Sequence, residues 1–398
     1  MKVKIILIIL LVAVITFTGC RTKPDEIGKD YDAPLLPGEN ALVKITDPYQ
    51  IPDFTMAGLE LENLKQAVAH SISYMNKPSS KNYYPMQDIS HEKVLKSLHT
   101  FAELLDAGVS GAELNAAIRE KFDVYMSVGC DKRGTVLFTG YYTPIFEGSD
   151  VRTPLFQYPL YKQPENLVKG PNGEIYGQRL VTGRVVGYPP RSVIENTRMF
   201  EGNELIWLSD AFESYIAHVQ GSVKLRMPDG NIQTVGYAAS NGHDYKSISR
   251  RMVEDGIIEK SQLSLSGMIK FFSENPDLIS AYTRLNPRFV FFRNQSGNPR
   301  GSLNEEVIAL RSIATDKSIF PRASLTFITT QLPTMSYPGE VVNQVYSGFA
   351  LDQDTGGAIR APGRCDIYMG VGEDAGQLAG RVYQEGKLYY LLLKENQM

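Results

Sequence analysis

Along the chain, apolar residues switch between helical and alternating spacing. From Ala57 to Leu105 they recur every three or four positions: Leu59, Leu61, Leu64, Val68 and Ile72, then Val94, Leu95, Leu98, Phe101 and Leu105. That period lines up one face of a helix. A third helix is predicted from Gly111-Ala112 through Ile118 to Phe122. From Thr135 the pattern becomes short β-type runs: Val136-Leu137-Phe138, Phe156 to Tyr161, Arg184 to Tyr188, Ser222 to Met227 and Gln233 to Ala238. Turns such as Gly170-Pro171-Asn172-Gly173 and Pro228-Asp229-Gly230-Asn231 separate them. Helical spacing returns at Ser247–Gly256 and Ser264–Ser273, and strands resume at Phe289-Val290-Phe291-Phe292. Blocks in this order predict an α+β, mainly β architecture rather than alternating β-α-β units. They also fit a β-rich domain inserted into another, with boundaries near 145 and 242. The chain carries no internal repeat and no heptad run.

The N-terminus follows another pattern. Lys2 and Lys4 precede an apolar run from Ile5 to Phe17, broken only by Thr16, and Thr18-Gly19-Cys20 follows. A charged start, an apolar stretch and small residues make an export signal over residues 1–19. The run is shorter than the ~20 residues that span a bilayer. Small residues immediately before a cysteine resemble a bacterial lipobox, which implies Cys20 as an acylated N-terminus and a membrane anchor. Arg21 in the next position, rather than Asp, implies sorting to the outer membrane, facing the periplasm. Residues 20–40, with Pro24, Pro34 and Pro37, read as a tether.

Composition narrows the function classes. With 41 Lys and Arg against 44 Asp and Glu, the chain of 398 residues lacks the basic excess of a dedicated nucleic-acid binder. Twenty-two tyrosines stand beside a single tryptophan; tyrosine serves sugar stacking and sheet cores equally well. Three cysteines without C-x-x-C spacing make neither a disulfide scaffold nor a zinc site. There is no Walker loop, H-E-x-x-H or G-x-S-x-G. His70, His91, His99, His218 and His243 lack metal-ligand spacing. Gly370-Val371-Gly372-Glu373-Asp374-Ala375 imitates a dinucleotide fingerprint, but too little chain follows it for a nucleotide-binding sheet.

The densest polar cluster is Asp354-Thr355-Gly356-Gly357-Ala358-Ile359, followed by Arg364 and then Asp366-Ile367-Tyr368. Two carboxylates flanking a glycine-rich turn can meet at one end of a barrel. Buried together they cannot both ionise easily, so one keeps a proton near neutrality, as glycosidic cleavage requires. The plain alternative is that both aspartates cap turns.

Further segments carry a resemblance. They are Phe138-Thr139-Gly140-Tyr141-Tyr142-Thr143-Pro144, Gln220-Gly221-Ser222, Gly236 to Tyr245, Ser247-Ile248, Asn286 to Phe292, Ala314-Thr315-Asp316, and Gln353 through Tyr368 to Ala375-Gly376. In this order they resemble the membrane-bound lytic murein transglycosylase A family, with its C-terminal three-aspartate domain. The resemblance implies a double-psi β-barrel domain, residues 41–145 plus 242–398, with the three-aspartate region at about 310–398. A second β-rich domain, residues 146–241, would interrupt it, leaving a groove between the two. It implies Asp366 as catalytic acid and base, Asp354 and Asp316 as supporting residues, and neither metal nor organic cofactor. Thr139, Tyr141, Tyr142, Gln220, Tyr237, Asn241 and Tyr245 become candidate substrate contacts. The implied reaction is non-hydrolytic cleavage of the β-1,4 bond between N-acetylmuramic acid and N-acetylglucosamine in peptidoglycan glycan strands. Enzymes of cell-wall synthesis are the expected company. Two alternatives stand beside it: a non-catalytic polysaccharide-binding barrel, and a hydrolase using Asp354 or Glu213 as second carboxylate.

Overall fold

The computed structural model describes residues 29–397 apart from 171–173, 260–264, 337–339 and 357–358. The predicted leader, Cys20 and the start of the tether lie outside these residues, as do Pro171-Asn172-Gly173 and Gly357-Ala358. Among the described residues no helix is long and apolar enough to cross a membrane.

After a short strand, β1 (Leu42–Lys44), come three helices: α1 (Leu64–Met75), α2 (His91–Asp106) and α3 (Gly111–Lys121). The second follows its sequence pattern closely. Ser90 caps it by accepting from the Lys93 amide at 3.1 Å, and Val94, Leu98, Phe101 and Leu105 are buried. The first helix starts later than the spacing of Leu59 and Leu61 predicts. Leu59 ends a separate 3-10 turn (Ala57–Leu59) and is exposed, and Asn63 holds a left-handed φ of 59° just before Leu64. A Cβ on Gly58 would lie 3.0 Å from the Gly111 nitrogen, so close backbone approach to α3 overrides the helical period here. The helices bury their apolar faces against the sheet, Phe101 lying 5.3 Å from Phe349, and Phe54 in the irregular segment ahead of them meets Phe327 edge-on at 4.7 Å.

That sheet closes on itself. Strands β3 (Val136–Thr143), β13 (Ser312–Ala314), β14 (Leu325–Ser336), β15 (Glu340–Asp354), β16 (Arg364–Val371) and β17 (Tyr383–Leu393) form a six-stranded barrel in the order β3-β16-β13-β15-β14-β17, with β17 pairing back to β3. The pairs β3–β16 and β13–β15 are parallel and the rest of the ring is antiparallel. Closure leaves the ring without a free edge. β2 (Phe122–Ser127) extends the sheet from β17, and β1 pairs with β2. Helix α9 (Glu373–Ala379) lies between β16 and β17 in sequence and packs on β3, where Gly140 permits the approach: a Cβ there would sit 2.8 Å from Ala379 Cα.

β3 runs through Pro144 directly into a second sheet. This contains β4 (Ile145–Ser149), β5 (Tyr158–Tyr161), β9 (Glu204–Leu208), β10 (Ser222–Arg226), β11 (Ile232–Ser240) and β12 (Val290–Gln295), in the order β12-β11-β10-β4-β9-β5. Helices α5 (Ala211–Gln220), α6 (Ile248–Glu254), α7 (Leu265–Glu274) and α8 (Pro276–Thr283) share its core with Phe146, Ile206 and Phe292. Thus β12 and three helices beyond the sequence boundary at 242 pack with this second sheet. A small sheet of β6 (Leu167–Lys169), β7 (Ile175–Arg179) and β8 (Val185–Val186) stands beside α4 (Arg191–Thr197), over a cluster that includes Leu167, Ile194 and Phe291.

Candidate active site

Strand register gathers the polar residues. Asp366 on β16 pairs with Thr139 on β3 to one side and with Ala314 on β13 to the other; Ala314 in turn pairs with Asp354 on β15. Thr139, Asp366, Ala314 and Asp354 therefore form one row across four strands. Phe138, Tyr142, Cys365 and Ile367 belong to the barrel core. By the two-residue alternation of a strand, Thr139, Tyr141, Asp366 and Tyr368 share the opposite face. Two strand spacings separate the backbones of Asp354 and Asp366, roughly 9.6 Å.

The two carboxylates are held differently. Asp354 Oδ1 accepts from the backbone amides of Ser302 and Thr355, each at 2.8 Å, and its Oδ2 accepts from the Tyr141 hydroxyl at 2.9 Å. Tyr141 lies on β3, so this bond links β3 to the end of β15. Asp366 receives one hydrogen bond, from the Thr139 hydroxyl to Oδ1. Its Oδ2 has no hydrogen-bond partner among the described residues. Burial pushes both carboxyls above the ordinary aspartate range. At Asp354 the two backbone donors and Tyr141 oppose that rise; at Asp366 the Thr139 hydrogen bond and then Arg364 oppose it, while Asp32 reinforces it. Below the row, Thr143 and Tyr368 join their hydroxyls at 3.0 Å, and Tyr368 stands 5.1 Å from the Tyr141 ring.

Asp316 follows β13 and caps the next turn, accepting from the Ser318 amide at 3.0 Å and the Ser318 hydroxyl at 2.6 Å. It thereby fixes the end of the strand that carries Ala314. Beside it, the buried Lys317 pairs with Asp352, which also accepts from Thr315 at 2.8 Å and from Tyr390 at 2.7 Å. This charge pair ties β13 to β15 and β17 from within.

Other candidates lie apart from the row. Tyr142 faces the core and touches α9, where a Cβ on Gly376 would come 2.7 Å from its ring. Asn241 is buried with its amide fully used: it donates to the Pro189 and Pro287 carbonyls at 3.0 and 2.9 Å and accepts from the Phe289 amide at 2.8 Å. Tyr245 is half-buried near Tyr215 in the second sheet's surroundings. Tyr237 is exposed on β11 beside Gly221. Gln220 ends α5, where Gly221 supplies a left-handed φ of 75°, and its side-chain amide has no partner among the described residues. Burial, ahead of the charges of Asp210 and Glu147, pushes the Glu213 carboxyl up to about 7.

The histidines play no part in the row. His218 is buried against Phe289, accepts from the Val290 amide at 3.0 Å, and is held neutral by burial. Cys130 and Cys365 are not joined by a disulfide. Among the described residues no three His, Cys, Asp or Glu side chains are placed to hold a metal. Two cavities, of about 510 and 480 Å³, are lined by residues of the second and third sheets rather than by the carboxylate row. Thr143, Tyr368 and Arg364 stand in the segments quoted from sequence but were given no role there, and the Ser302 amide was not singled out. The first three were visible in principle, since they continue the two-residue alternation of Thr139-Tyr141 and of Asp366.

Two family models match this architecture in succession: the MltA specific insert domain over residues 137–293 and the 3D domain over residues 311–392. The chain belongs to the membrane-bound lytic murein transglycosylase A family. The insert model spans β3 and nearly all of the second sheet, and the 3D model takes in the other five barrel strands almost completely. Membrane-bound lytic murein transglycosylase A of Escherichia coli K12 is 26% identical over 380 residues, covering 94% of this chain and 92% of its own. The Vibrio cholerae protein of the same name is 26% identical over 382 residues, covering 95% and 92%. Among solved structures of the family, a membrane-bound lytic murein transglycosylase from Agrobacterium tumefaciens superposes with a TM-score of 0.73 at 25% identity, covering 89% of this chain and 98% of that one. E. coli MltA with bound chitohexaose superposes with a TM-score of 0.65 at 25% identity, covering 93% and 99%.

Proposed function

We propose that this protein is a lytic transglycosylase of peptidoglycan, breaking the β-1,4 bond between N-acetylmuramic acid and N-acetylglucosamine without adding water. The observation that carries this reading is the asymmetry of the carboxylates. Asp366 keeps an uncommitted oxygen and an environment that favours its proton. Asp354 has both oxygens engaged by three donors, which leaves it poorly suited to attack carbon or to activate water. A hydrolase of either stereochemistry needs that second free carboxylate.

In this reading Asp366 gives its proton to the leaving glycosidic oxygen as positive charge develops at C1 of the muramyl ring. The ring's own C6 hydroxyl attacks C1 and returns a proton to the ionised Asp366, leaving a 1,6-anhydro end. The nucleophile is tethered to the substrate, so no water has to be positioned. Thr139 orients the acid. Tyr141 and Asp354 brace the row, and Asp316 fixes β13. A glycan strand would run between the face that carries Asp366 and the insert, with Gln220, Tyr237 and Tyr245 as contacts from the insert side; the relative crystallised with chitohexaose supports a β-1,4-linked amino-sugar ligand. The insert would comprise about 145–295, and the two parallel strand pairs support a double-psi connectivity for the barrel. Cys20 would carry the lipid that holds the enzyme at the outer membrane, in keeping with relatives named as membrane-bound.

The test is mass spectrometry of products released from purified murein sacculi. Transglycosylation yields muropeptides lighter by one water than hydrolysis does. Asp366→Asn should abolish release while the protein stays folded. Products carrying the extra water, or undiminished release by the variant, would sink the proposal.

A further inference from the structure

The second half of the predicted tether, from Tyr31 onward, is laid against the strand that carries Asp366. Tyr31 donates from its hydroxyl to Glu385 on β17 at 2.7 Å. Its carbonyl lies against Gly363, where an added Cβ would come within 2.7 Å of that oxygen. The next residue, Asp32, pairs with Arg364 Nη1 at 3.5 Å. Arg364 stands two residues before Asp366 on β16, hence on the same face. Its Nε is buried without a hydrogen-bond partner, and among the described residues Asp32 is the only carboxylate paired with it. Further along, Glu39 pairs with Lys132, so the segment is fastened at both ends.

We propose that residues 31–39 form a positioning strap in which Asp32, by pairing with Arg364, sets how firmly Asp366 keeps its proton. A guanidinium beside a carboxyl favours the ionised form, and a carboxylate set against that guanidinium offsets the effect. Among the described residues, the charged or titratable groups that act on Asp366 are Arg364 and the Cys365 thiol from its own strand, Tyr141 from β3, and Asp32 from the strap. Tyr141 is committed to Asp354, and Cys365 is buried on the core side. The adjustable pair is Asp32 and Arg364, and half of it lies on a segment outside the barrel.

This inference rests on Asp366 being the proton donor, and the experiment separates the two. The pH profile of kcat/KM on sacculi is measured for the full protein and for Asp32→Asn, Arg364→Gln, Arg364→Lys and the Asp32→Asn/Arg364→Gln double variant. In parallel, the Asp366 carboxyl is titrated by carbon-13 NMR, with the signal assigned by its loss in Asp366→Asn. A proton donor governs the alkaline limb, since activity falls as the acid ionises. Asp32→Asn should move that limb, and the NMR midpoint, to lower pH by about half a unit, the size expected of a solvent-screened pair. Arg364→Gln should move both upward, Arg364→Lys should leave them near wild type, and the double variant should fall between the single ones. An unmoved midpoint in Asp32→Asn, or an upward shift, overturns the strap whatever the activity. A midpoint that moves as expected in a protein without lytic activity upholds the strap and removes the functional reading instead.

Discussion

Thr139 and Asp366 face each other across a parallel pair, and the hydroxyl spends its only proton on the carboxylate. Thr139→Val keeps the shape and removes the donor. Losing a hydrogen bond to the charged form favours the neutral one, so the Asp366 carboxyl titrates higher. The alkaline limb of the pH–rate profile should move up by roughly one unit, the size expected of a charge-assisted bond. The rate at neutral pH should fall because the acid is less well oriented, and recording the whole profile separates the two effects. Tyr141→Phe acts on the other carboxylate. Asp354 keeps two backbone donors, so the expected result is a milder loss, several-fold in kcat with KM little changed. Steady-state kinetics on soluble glycan fragments would show it, and a variant as inactive as Asp366→Asn would contradict the bracing role.

Strands decide what the residues can do, and one glycine decides whether the strands close. Gly386 pairs with Val136 of β3, while its neighbour Lys387 pairs with Thr329 of β14. At that handover a Cβ would lie 2.2 Å from the Thr329 carbonyl oxygen, which is backbone and cannot turn aside. Gly386→Ala should therefore cost about 1–3 kcal/mol, read as a lower urea midpoint, with the insert's own secondary structure retained. Elements of this kind were unequally legible in the sequence. Helix α2 announces itself by a cap and a clean period, because both signals are local. The strand at Phe289–Phe292 was legible as a strand, but not its pairing with Gly236 to Ser240, since register between distant segments leaves no mark on either. Leu59 and Leu61 misled for the opposite reason: their spacing is helical, and a glycine contact with α3 outweighs it. Asp354 and Asp366 could be picked out from composition and motif, whereas the step of Ala314 between them, and Asp32 opposite Arg364, exist only once the barrel is closed.

For the molecule as a whole, the raised carboxyls make stability depend on pH in an unusual direction. A carboxyl whose pKa rises on folding is protonated in the folded state at pH values where the unfolded chain has already released that proton. Stability then falls as pH rises from the ordinary aspartate value, about 3.9, through the raised one. Asp366→Asn removes this penalty. It should melt roughly 1–3 °C higher than the native protein at pH 7, with the gain vanishing below about pH 3.5. Calorimetry across that range checks it, and a variant that melts lower at pH 7 would contradict the burial assigned to Asp366. His218 works with the opposite slope: held neutral inside the insert, it favours folding above its ordinary range and weakens it as acid charges the unfolded chain.

Thr139 and Asp366 sit side by side in space, with more than two hundred residues of chain between them. A ribosome that stalls anywhere before β16 leaves a polypeptide that holds Thr139 and the whole insert but lacks Asp366. With Asp366 as the proposed acid, partial synthesis yields an inert product, and the power to breach the wall arrives only with the last strands that shut the ring.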